Sequence, residues 1–298
     1  MARIGFIGVG HMGGGMASNQ AKAQHKVLAF DLSAEALQRA EANGCTPAGS
    51  VAEAVKDAEV VLTMLPAGQH VRAVYETEIL PNAAKGALLI DCSTIDVESA
   101  RAVAGKAAEA GFVFADAPVS GGIMAADAGA LTFMVGCPDA DYPAVERALR
   151  PMAKAVVHAG AAGAGQAAKI CNNMVLGVSM LGVCEALALA ERLGLAPDRF
   201  YEIASQSSGQ CWSLNVYCPW PGVGPQTPAD RNYEGGFLSA LMLKDLKLAQ
   251  DAAAKSGAST PMGAQAEALY ALFDRMGYGG KDFSAVLQWF RGNPEALK

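Results

Sequence analysis

The sequence predicts an α/β domain with a mostly parallel sheet, followed by an all-helical domain. Short apolar strands alternate with alanine-rich helical stretches through the first half of the chain. A glycine-rich turn at residues 8–13 connects the first strand directly to the first helix. The alternation stops near residue 160, and only helical patterns and one irregular stretch follow. We therefore expect a dinucleotide-binding, Rossmann-type domain at residues 1–162 and an all-helical domain at residues 163–298.

Each element of the first domain has a local signal. The predicted strands cover residues 3–8, 26–31, 60–65, 87–91, 112–116 and 131–135. The predicted helices cover residues 13–22, 33–43, 51–56, 71–75, 97–111 and 140–152. Ser33, Ser50 and Asp96 are predicted N-caps, because their side chains can accept a hydrogen bond from the first helical turn. This βαβα order predicts helices on both faces of the sheet.

The second domain is predicted from helical patterns alone. A small-residue segment at 159–165 precedes one long helix at about 166–193, which ends at Gly194. A further helix is expected at residues 237–253, and residues 218–236 are rich in Pro and Gly and predict a loop. The most apolar stretch, residues 174–184, is too short to span a bilayer and predicts a buried helix. We expect no membrane association.

Composition excludes several classes of protein. The 298 residues are 52% hydrophobic and 17% charged, enough for a large core. A net charge of −6 with dispersed cations argues against nucleic-acid binding. Seven cysteines without a C-x-x-C pair indicate reduced thiols and a cytoplasmic location. The four histidines are scattered, so no metal site is expected. No secretory signal is visible at the N-terminus.

The glycine turn predicts a dinucleotide site. Gly8 would permit the tight turn, Gly10 would let the backbone approach a pyrophosphate, and Gly13 would let the helix pack on the strand. Asp31 ends the next strand at the spacing expected for the acid that binds a ribose diol. No Arg follows at residues 32–34 to accept a 2′-phosphate, so NAD is favoured over NADP. The alternative is a glycine-rich turn without a ligand.

Later strand ends offer further cofactor contacts. Leu65 and Pro66 follow the strand at 60–65, and Ser93 and Thr94 follow Asp91. Ligands bind at the carboxyl ends of strands in open α/β sheets, so both segments are candidates. Either segment is equally compatible with an ordinary strand-to-helix turn.

Lys169 is the candidate acid/base. Hydride transfer from an alcohol needs a group that takes the hydroxyl proton. Lys169 lies near the start of the long helix among apolar residues, where burial and the positive helix end would both disfavour an ammonium. Asn173 is one turn further on the same face and could hydrogen-bond the same substrate. The alternative is a surface lysine at a helix start.

Two other groups of residues suggest ligand contacts. Ser120, Gly121 and Gly122 follow a strand end and could cradle a carboxylate with a hydroxyl and exposed N–H groups, or form a plain turn. Lys244 and Asp245 lie within a predicted helix that is otherwise rich in apolar residues. Charges in such a place are either paired with neighbours or functional.

Together these residues resemble the β-hydroxyacid dehydrogenases, and within them the 3-hydroxyisobutyrate dehydrogenase type. The resemblance runs from residue 1 to about residue 290. Its motifs are Gly8-Val9-Gly10-His11-Met12-Gly13, Met64-Leu65-Pro66, Asp91-Cys92-Ser93-Thr94, residues 116–122, Gly165 with Lys169 and Asn173, Lys244-Asp245-Leu246, and the stretch from Cys211-Trp212 to Phe237.

The resemblance implies a role for each motif. It implies that Lys169 is the catalytic acid/base. The implied substrate contacts are Ser120, Gly121, Gly122, Asn173, Trp212, Phe237 and Asp245, with Trp212 and Phe237 forming apolar walls. The implied NAD contacts are Gly8, Gly10, His11, Met12, Gly13, Asp31, Leu65, Pro66, Thr94 and Lys244, with His70 as a further candidate, although His departs there from the Asn that is frequent in the family. It also implies a homodimer or homotetramer.

The expected activity is NAD-dependent oxidation of 3-hydroxyisobutyrate to methylmalonate semialdehyde, which implies a place in valine breakdown. One alternative is NAD-dependent oxidation of L-serine or another small 3-hydroxy acid, since the same carboxylate cradle serves both. Another alternative is a non-catalytic dinucleotide-binding protein. The presence of Lys169, Asn173 and Ser120 together argues against it, because a sensor needs no base.

Overall fold

The structure is a computed structural model in which residues 1–297 are described. The chain forms two compact units. The first is Met1–Lys169, and the second begins at Ile170. The predicted domain boundary, after residue 162, lies seven residues before the observed one, after Lys169. The two differ because the start of the long helix packs within the first unit.

The first unit is built on one nine-stranded, mostly parallel sheet. Its strands are β1 Arg3–Ile7, β2 Lys26–Phe30, β3 Thr46–Pro47, β4 Val60–Thr63, β5 Leu88–Asp91, β6 Val113–Asp116, β7 Val119–Ser120, β8 Leu131–Gly136 and β9 Ala153–Gly160. The order is β3-β2-β1-β4-β5-β6-β8-β7, with β9 also paired to β8. Only the β6–β8 and β7–β8 pairs are antiparallel. The predicted α/β class is confirmed.

All six predicted strands are present, and three more were missed. Two of the missed strands, β3 and β7, have only two residues each, too few to show an alternating pattern. The third, β9, has eight residues and no fully buried side chain. Its polar residues Lys154 and His158 weaken the apolar signal, as is common in an edge strand.

The sheet buries apolar side chains on both faces. Phe6, Leu62 and Ile90 belong to the core on one face. Their strand neighbours Val61 and Leu89 belong to the core on the other face. Side chains of a strand point alternately to the two faces, so strands covered on both sides are apolar throughout. This explains why these strands could be predicted from short apolar runs in the sequence.

The helices of the first unit connect these strands. They are α1 His11–Lys22, α2 Ala34–Ala42, α3 Val51–Val55, α4 Gly68–Val74, α5 Leu80–Asn82, α6 Val97–Glu109, α7 Gly122–Ala128 and α8 Tyr142–Leu149. A π-helical turn, Tyr75–Ile79, joins α4 to α5, and a 3-10 turn, Arg150–Met152, follows α8. All three predicted N-caps are confirmed: Ser33, Ser50 and Asp96 each accept a backbone N–H of their helix.

The second unit has helices and no named strand among its described residues. The long helix α9, Ala164–Arg192, begins in the first unit and continues into the second. The remaining helices are α10 Pro197–Ala204, α11 Trp212–Asn215, α12 Ser239–Ser256, α13 Pro261–Phe273 and α14 Val286–Phe290, with 3-10 turns at Pro228–Arg231, Phe283–Ala285 and Pro294–Leu297 and a π-helical turn at Asp274–Tyr278. Residues 218–236 form the predicted irregular stretch.

The helix predicted from residue 237 begins later. Phe237 lies outside α12, whose N-cap is Leu238. The N–H of Phe283 donates to the carbonyl of Phe237 (2.8 Å), and Leu238 forms an isolated antiparallel bridge with Asp282. These long-range hydrogen bonds hold the backbone extended at Phe237, and a helical pattern in the local sequence could not show them.

Helix α9 is longer than the apolar stretch identified in the sequence. Its 29 residues make it, among the described residues, the one helix long and apolar enough to cross a bilayer by length and composition. The argument from insufficient length is therefore wrong. Half of its most apolar window is buried in the protein, and the core helix of a globular protein meets the same criterion.

Candidate functional site

The glycine turn between β1 and α1 has the geometry of a dinucleotide site. Gly8 has φ +89°, and a Cβ there would lie 2.3 Å from the carbonyl oxygen of Met64. A Cβ at Gly13 would lie 1.9 Å from the carbonyl oxygen of Gly8. A Cβ at Gly10 would meet no protein atom within 4 Å. Gly8 and Gly13 are thus required by the fold, whereas the space at Gly10 is free for a pyrophosphate beside the N-terminus of α1.

Asp31 is fixed at the end of β2 by two backbone N–H groups. The N–H of Val9 donates to its Oδ2 (2.8 Å), and the N–H of Ser33 donates to its Oδ1 (2.9 Å). The carboxylate therefore lies against the glycine turn, where it retains lone pairs for a ribose diol. Leu32 beside it is almost fully exposed and provides no cation for a 2′-phosphate. These residues fit NAD.

A buried hydrogen-bond network holds the loops after β4 and β5. Thr63 Oγ1 and Ser93 Oγ both donate to Asp91 Oδ1 (2.6 Å each). Ser93 Oγ in turn accepts the N–H of Leu65 (2.7 Å). The network therefore fixes Leu65 and the Ser93–Thr94 turn, both predicted cofactor contacts. Asp91 was not identified as functional, although its position at a strand end was a usable signal.

The buried position of Asp91 changes the ionisation of its carboxyl group. Burial raises its pKa to about 6, although the hydrogen bonds from Ser93 and Thr63 act in the opposite direction. Its Oδ2 atom has no hydrogen-bond partner. The charged form is therefore disfavoured in the folded protein.

Replacing Asp91 by asparagine should make the protein relatively more stable as the pH rises. A carboxyl with a raised pKa favours folding fully below pH about 4, and this contribution is lost as the pH rises to about 6. Asparagine does not titrate. We expect the free energy of unfolding of Asp91→Asn, relative to the parent protein, to increase by roughly 2 kcal/mol between pH 4 and pH 7.

Urea unfolding of both proteins at the two pH values measures this difference, and the exposed Asp57→Asn variant controls for the loss of one carboxylate. A difference that stays constant with pH would contradict a raised pKa at Asp91.

The predicted carboxylate cradle lies between β7 and α7. Ser120 ends β7 and pairs with Thr132 of β8, so its backbone is held by the sheet. Gly121 and Gly122 follow with φ +136° and +72°, values that other residues adopt only with strain. A Cβ at Gly122 would meet nothing within 4 Å, whereas one at Gly121 would lie 2.6 Å from the Cβ of Ala125. Asn19 ties α1 to this region by donating to the carbonyl of Ala126 (2.7 Å).

The start of the Lys169 helix is capped by a distant carboxylate. Asp116, at the end of β6, accepts the N–H of Gly163 at Oδ1 (2.6 Å) and the N–H of Gln166 at Oδ2 (2.9 Å). Burial raises the pKa of Asp116, and these hydrogen bonds oppose that shift. Gly165 allows the approach, since a Cβ there would lie 2.3 Å from the carbonyl oxygen of Met134. Lys169 itself is 7% exposed.

Gln166 links this helix start to the loop after β5. Its Oε1 accepts the N–H of Ile95 (3.0 Å), and its Nε2 donates to the carbonyl of Ser93 (2.7 Å). The helix that carries Lys169 is thereby bonded to the turn that contains Thr94. Neither Asp116 nor Gln166 was singled out in the sequence as functional.

The expected effect of the helix end on Lys169 needs correction. The sequence shows the apolar neighbours of Lys169 and its nearness to a helix N-terminus, both of which disfavour an ammonium. The burial is present, but the Asp116 carboxylate lies on the N-terminal N–H groups and offsets their positive potential. Burial is thus the part of the argument that remains.

In the second unit, a buried carboxylate orients Asn173. Asn173 is 2% exposed, and its Nδ2 donates to Asp245 Oδ2 (2.6 Å). Asn172 Nδ2 donates to Asn173 Oδ1 (3.0 Å). Lys244 Nζ lies 4.0 Å from Asp245 Oδ1. The charges at residues 244 and 245 are therefore in contact with each other and with a predicted substrate contact.

The two predicted aromatic walls, Trp212 and Phe237, lie at the ends of a chain of rings. The ring of Trp212 stacks on that of Tyr217, with centroids 4.9 Å apart. Tyr217 packs against Phe283 (5.5 Å), which packs edge-on against Phe237 (5.8 Å). The sequence predicted roles for the two ends of this chain, whereas Tyr217 and Phe283 at its centre were given none.

Other predicted contacts are less connected. His11 and His70 are exposed, and the hydrogen bond found for the His70 ring is a long one to its neighbour Gln69 (3.5 Å). Met12 is half-buried, and its side chain packs against the core of the first unit. The roles of these three residues in cofactor binding stay predictions. Among residues 1–297, no cluster of His, Cys, Asp or Glu has the arrangement of a metal site.

Two family models match the chain, one over each half. Residues 3–160 match the family model of the NAD binding domain of 6-phosphogluconate dehydrogenase. Residues 163–290 match the family model described as NAD-binding of NADP-dependent 3-hydroxyisobutyrate dehydrogenase. The dehydrogenase type agrees with the second description, whereas Asp31 argues for NAD rather than NADP as the cofactor of this chain.

Two relatives from Pseudomonas aeruginosa are each 48% identical over 296 residues. One is an NAD-dependent L-serine dehydrogenase, with 97% of this chain and 98% of the relative covered. The other is a 3-hydroxyisobutyrate dehydrogenase, with 98% and 99% covered. The solved structure of Mycobacterium tuberculosis 3-hydroxyisobutyrate dehydrogenase with L-serine is 44% identical, with a TM-score of 0.94 and 98% and 99% of the two chains covered.

The glycine turn, the fixed Asp31 and the matching NAD-binding domain define an NAD-dependent oxidoreductase. The family models match both halves of the chain, and the relatives match over nearly their whole length, so the family can be stated as well. The chain belongs to the β-hydroxyacid dehydrogenase family, and within it to the 3-hydroxyisobutyrate dehydrogenase type.

Proposed function

We propose that the protein catalyses the reversible NAD-dependent oxidation of 3-hydroxyisobutyrate to methylmalonate semialdehyde. The observation that carries this proposal is the buried Lys169 on a helix whose start is bonded, through Gln166, to the turn after β5. Relatives named 3-hydroxyisobutyrate dehydrogenase at 43–48% identity support the same substrate.

In the proposed reaction, Lys169 Nζ in its neutral form takes the proton of the substrate hydroxyl as the C–O bond becomes a carbonyl. Bound NAD would supply the acceptor for the hydride that leaves the carbon carrying that hydroxyl. Lys169 becomes an ammonium and returns the proton in the reverse direction.

The remaining residues are proposed to hold the two reactants. Ser120, Gly121 and Gly122 would bind the substrate carboxylate through a hydroxyl and backbone N–H groups. Asn173, oriented by Asp245, would hydrogen-bond the substrate, and Trp212 and Phe237 would contact its C2 substituent. The proposed NAD contacts are the glycine turn with His11 and Met12, Asp31, Leu65, Pro66, Thr94 and Lys244, with His70 as the least supported of them.

L-Serine is the second candidate substrate. A relative with the same 48% identity is an L-serine dehydrogenase, and a 44% identical structure is described with L-serine. The two acids differ at C2, where one carries a methyl group and the other an ammonium group. The ratio of kcat/KM for (S)-3-hydroxyisobutyrate to that for L-serine, followed by NADH formation, distinguishes them. A ratio above one supports 3-hydroxyisobutyrate, a ratio below one supports L-serine, and no NADH from either acid refutes both.

We also propose a cytoplasmic homodimer or homotetramer. All seven cysteines are free thiols, as a reducing compartment predicts. Val175 and Met262 are more than 60% exposed along one shallow apolar groove of the second unit, and apolar surface gathered in one place is more typical of an interaction site than scattered single side chains are. Light scattering on the purified protein measures the assembly, and a monomer at all concentrations would contradict it.

A further inference from the structure

Asp282 bonds to two members of the aromatic chain in the second unit, Tyr217 and Phe237. It is fully buried, and its Oδ2 accepts two hydrogen bonds: from the hydroxyl of Tyr217 (2.9 Å) and from the N–H of Phe237 (2.8 Å). Tyr217 carries the stacked ring of Trp212. A single carboxylate oxygen thus holds the backbone at one proposed wall and the support of the other.

The other oxygen of Asp282 has a separate task. Oδ1 accepts the N–H of Ser284 (3.0 Å) and the hydroxyl of Ser284 (2.5 Å), both within the local 3-10 turn. Burial raises the pKa of Asp282, and the hydrogen bonds on its two oxygens oppose that shift. A buried carboxylate is costly unless its oxygens are hydrogen-bonded, and a fully satisfied buried network rigidifies the groups that it joins.

The segment around this carboxylate leaves no room for adjustment. Gly236 has φ +71°, and a Cβ there would lie 2.2 Å from Asp282 Oδ2 and 2.6 Å from the Tyr217 hydroxyl. Asn232 and Tyr233 have φ +52° and +58°; asparagine adopts this left-handed region readily, whereas for the bulky Tyr233 it is a strained conformation. The strain persists because the Tyr233 carbonyl accepts the N–H of Asp282 (2.9 Å) and its hydroxyl donates to the Pro219 carbonyl (2.9 Å).

Trp212 has a direct packing contact with the ring that Asp282 holds. It is 49% exposed, and its ring stacks on that of Tyr217. Loss of the hydrogen bond from the Tyr217 hydroxyl would leave Tyr217 held by apolar contacts, among them the one with Phe283. The position of Trp212 is therefore sensitive to a bond that Trp212 does not itself make.

We propose that Asp282 is a positioning residue for substrate specificity, which fixes Trp212 through Tyr217 and Phe237 through its backbone so that the C2 substituent of the substrate is recognised. The inference rests on the proposed function, because it assigns Trp212 and Phe237 to the substrate. Apolar walls favour a methyl over an ammonium group, so tight bracing favours 3-hydroxyisobutyrate over L-serine.

The test compares two variants that remove one hydrogen bond each from opposite oxygens of Asp282. Tyr217→Phe removes a donor from Oδ2 and keeps the ring, whereas Ser284→Ala removes a donor from Oδ1 and serves as the matched control. A full methyl group in an apolar site is worth roughly 10- to 200-fold in specificity, so a loosened wall should lower the 3-hydroxyisobutyrate-to-serine ratio of kcat/KM by about threefold to tenfold in Tyr217→Phe. The change should appear in KM for the acids, with KM for NAD unchanged.

A second measurement is independent of activity. Hydrogen exchange of the backbone amides in residues 209–217 and at Phe237 should become faster in Tyr217→Phe than in Ser284→Ala. Equal specificity ratios in the parent protein and Tyr217→Phe, or equal shifts in the two variants, would overturn the proposal. If the parent protein oxidises neither acid, the proposed function fails by itself, and the exchange rates still decide whether Asp282 braces these residues.

Discussion

Lys169→Ala should lower kcat by about 1,000-fold or more, since general acid/base groups contribute roughly 10²- to 10⁴-fold and no other side chain was assigned to take the hydroxyl proton. NADH binding, measured by fluorescence, should be retained because the glycine turn and Asp31 are untouched. Lys169→Arg should be equally inactive, because a guanidinium keeps its proton at any pH used in the assay. Both variants are measured with the acid that the parent protein prefers.

The control for Lys169 is Lys154→Ala, which removes an exposed lysine of β9 from the same unit. It should retain the activity of the parent protein. Added methylamine should restore part of the activity of Lys169→Ala, since a small amine can occupy the vacated space and take the proton. Near-normal turnover of Lys169→Ala would exclude Lys169 as the acid/base, even if the protein is a dehydrogenase.

Alanine at two glycines of the same turn should affect different properties: NADH affinity at Gly10 and stability at Gly13. In Gly10→Ala the new Cβ meets no protein atom within 4 Å, so the melting temperature should stay near that of the parent protein. The methyl group would occupy the space assigned to the pyrophosphate, and we expect the Kd for NADH to rise by about tenfold or more, because displaced charge-assisted hydrogen bonds are worth roughly 1.5–3 kcal/mol each.

Gly13→Ala should instead destabilise the fold. Its Cβ would lie 1.9 Å from the carbonyl oxygen of Gly8, and a backbone atom cannot move aside cheaply. Overpacking of this kind costs typically about 1–3 kcal/mol, so the melting temperature should fall by several degrees with or without NADH. Calorimetry and NADH titration of both variants separate the two effects. A stable Gly13→Ala, or tight NADH binding by Gly10→Ala, would contradict the roles given to these glycines.

The sequence predicted what depends on short-range patterns. Strands covered on both faces are apolar throughout, and the caps Ser33, Ser50 and Asp96 act on residues three positions away. The spacing from the glycine turn to Asp31 is set by one βαβ unit, so it also survives in the sequence. The missed strand β9 has no buried side chain to mark it.

The hydrogen bonds that position the predicted site residues join distant parts of the chain. Asp116 bonds to Gln166, 50 residues away, and Asp282 to Tyr217, 65 residues away. No local propensity encodes such a pairing, and an Asp at a strand end has the same local pattern whether or not a helix start meets it. The predicted contacts at Lys169 and Trp212 were accessible through family motifs, but the groups that hold them were visible only in the structure.

The hydrogen bonds that Asp116 accepts from Gly163 and Gln166 limit where the chain can be divided. A fragment ending at residue 162 would contain the whole sheet but would lack Gly163 and Gln166, which both donate to this buried carboxylate. Such a fragment would have to protonate Asp116 or admit water to it, and removing the partners of a buried charge costs several kcal/mol. The smallest autonomous version of the first unit therefore includes the opening turns of a helix that the sequence assigns to the second domain.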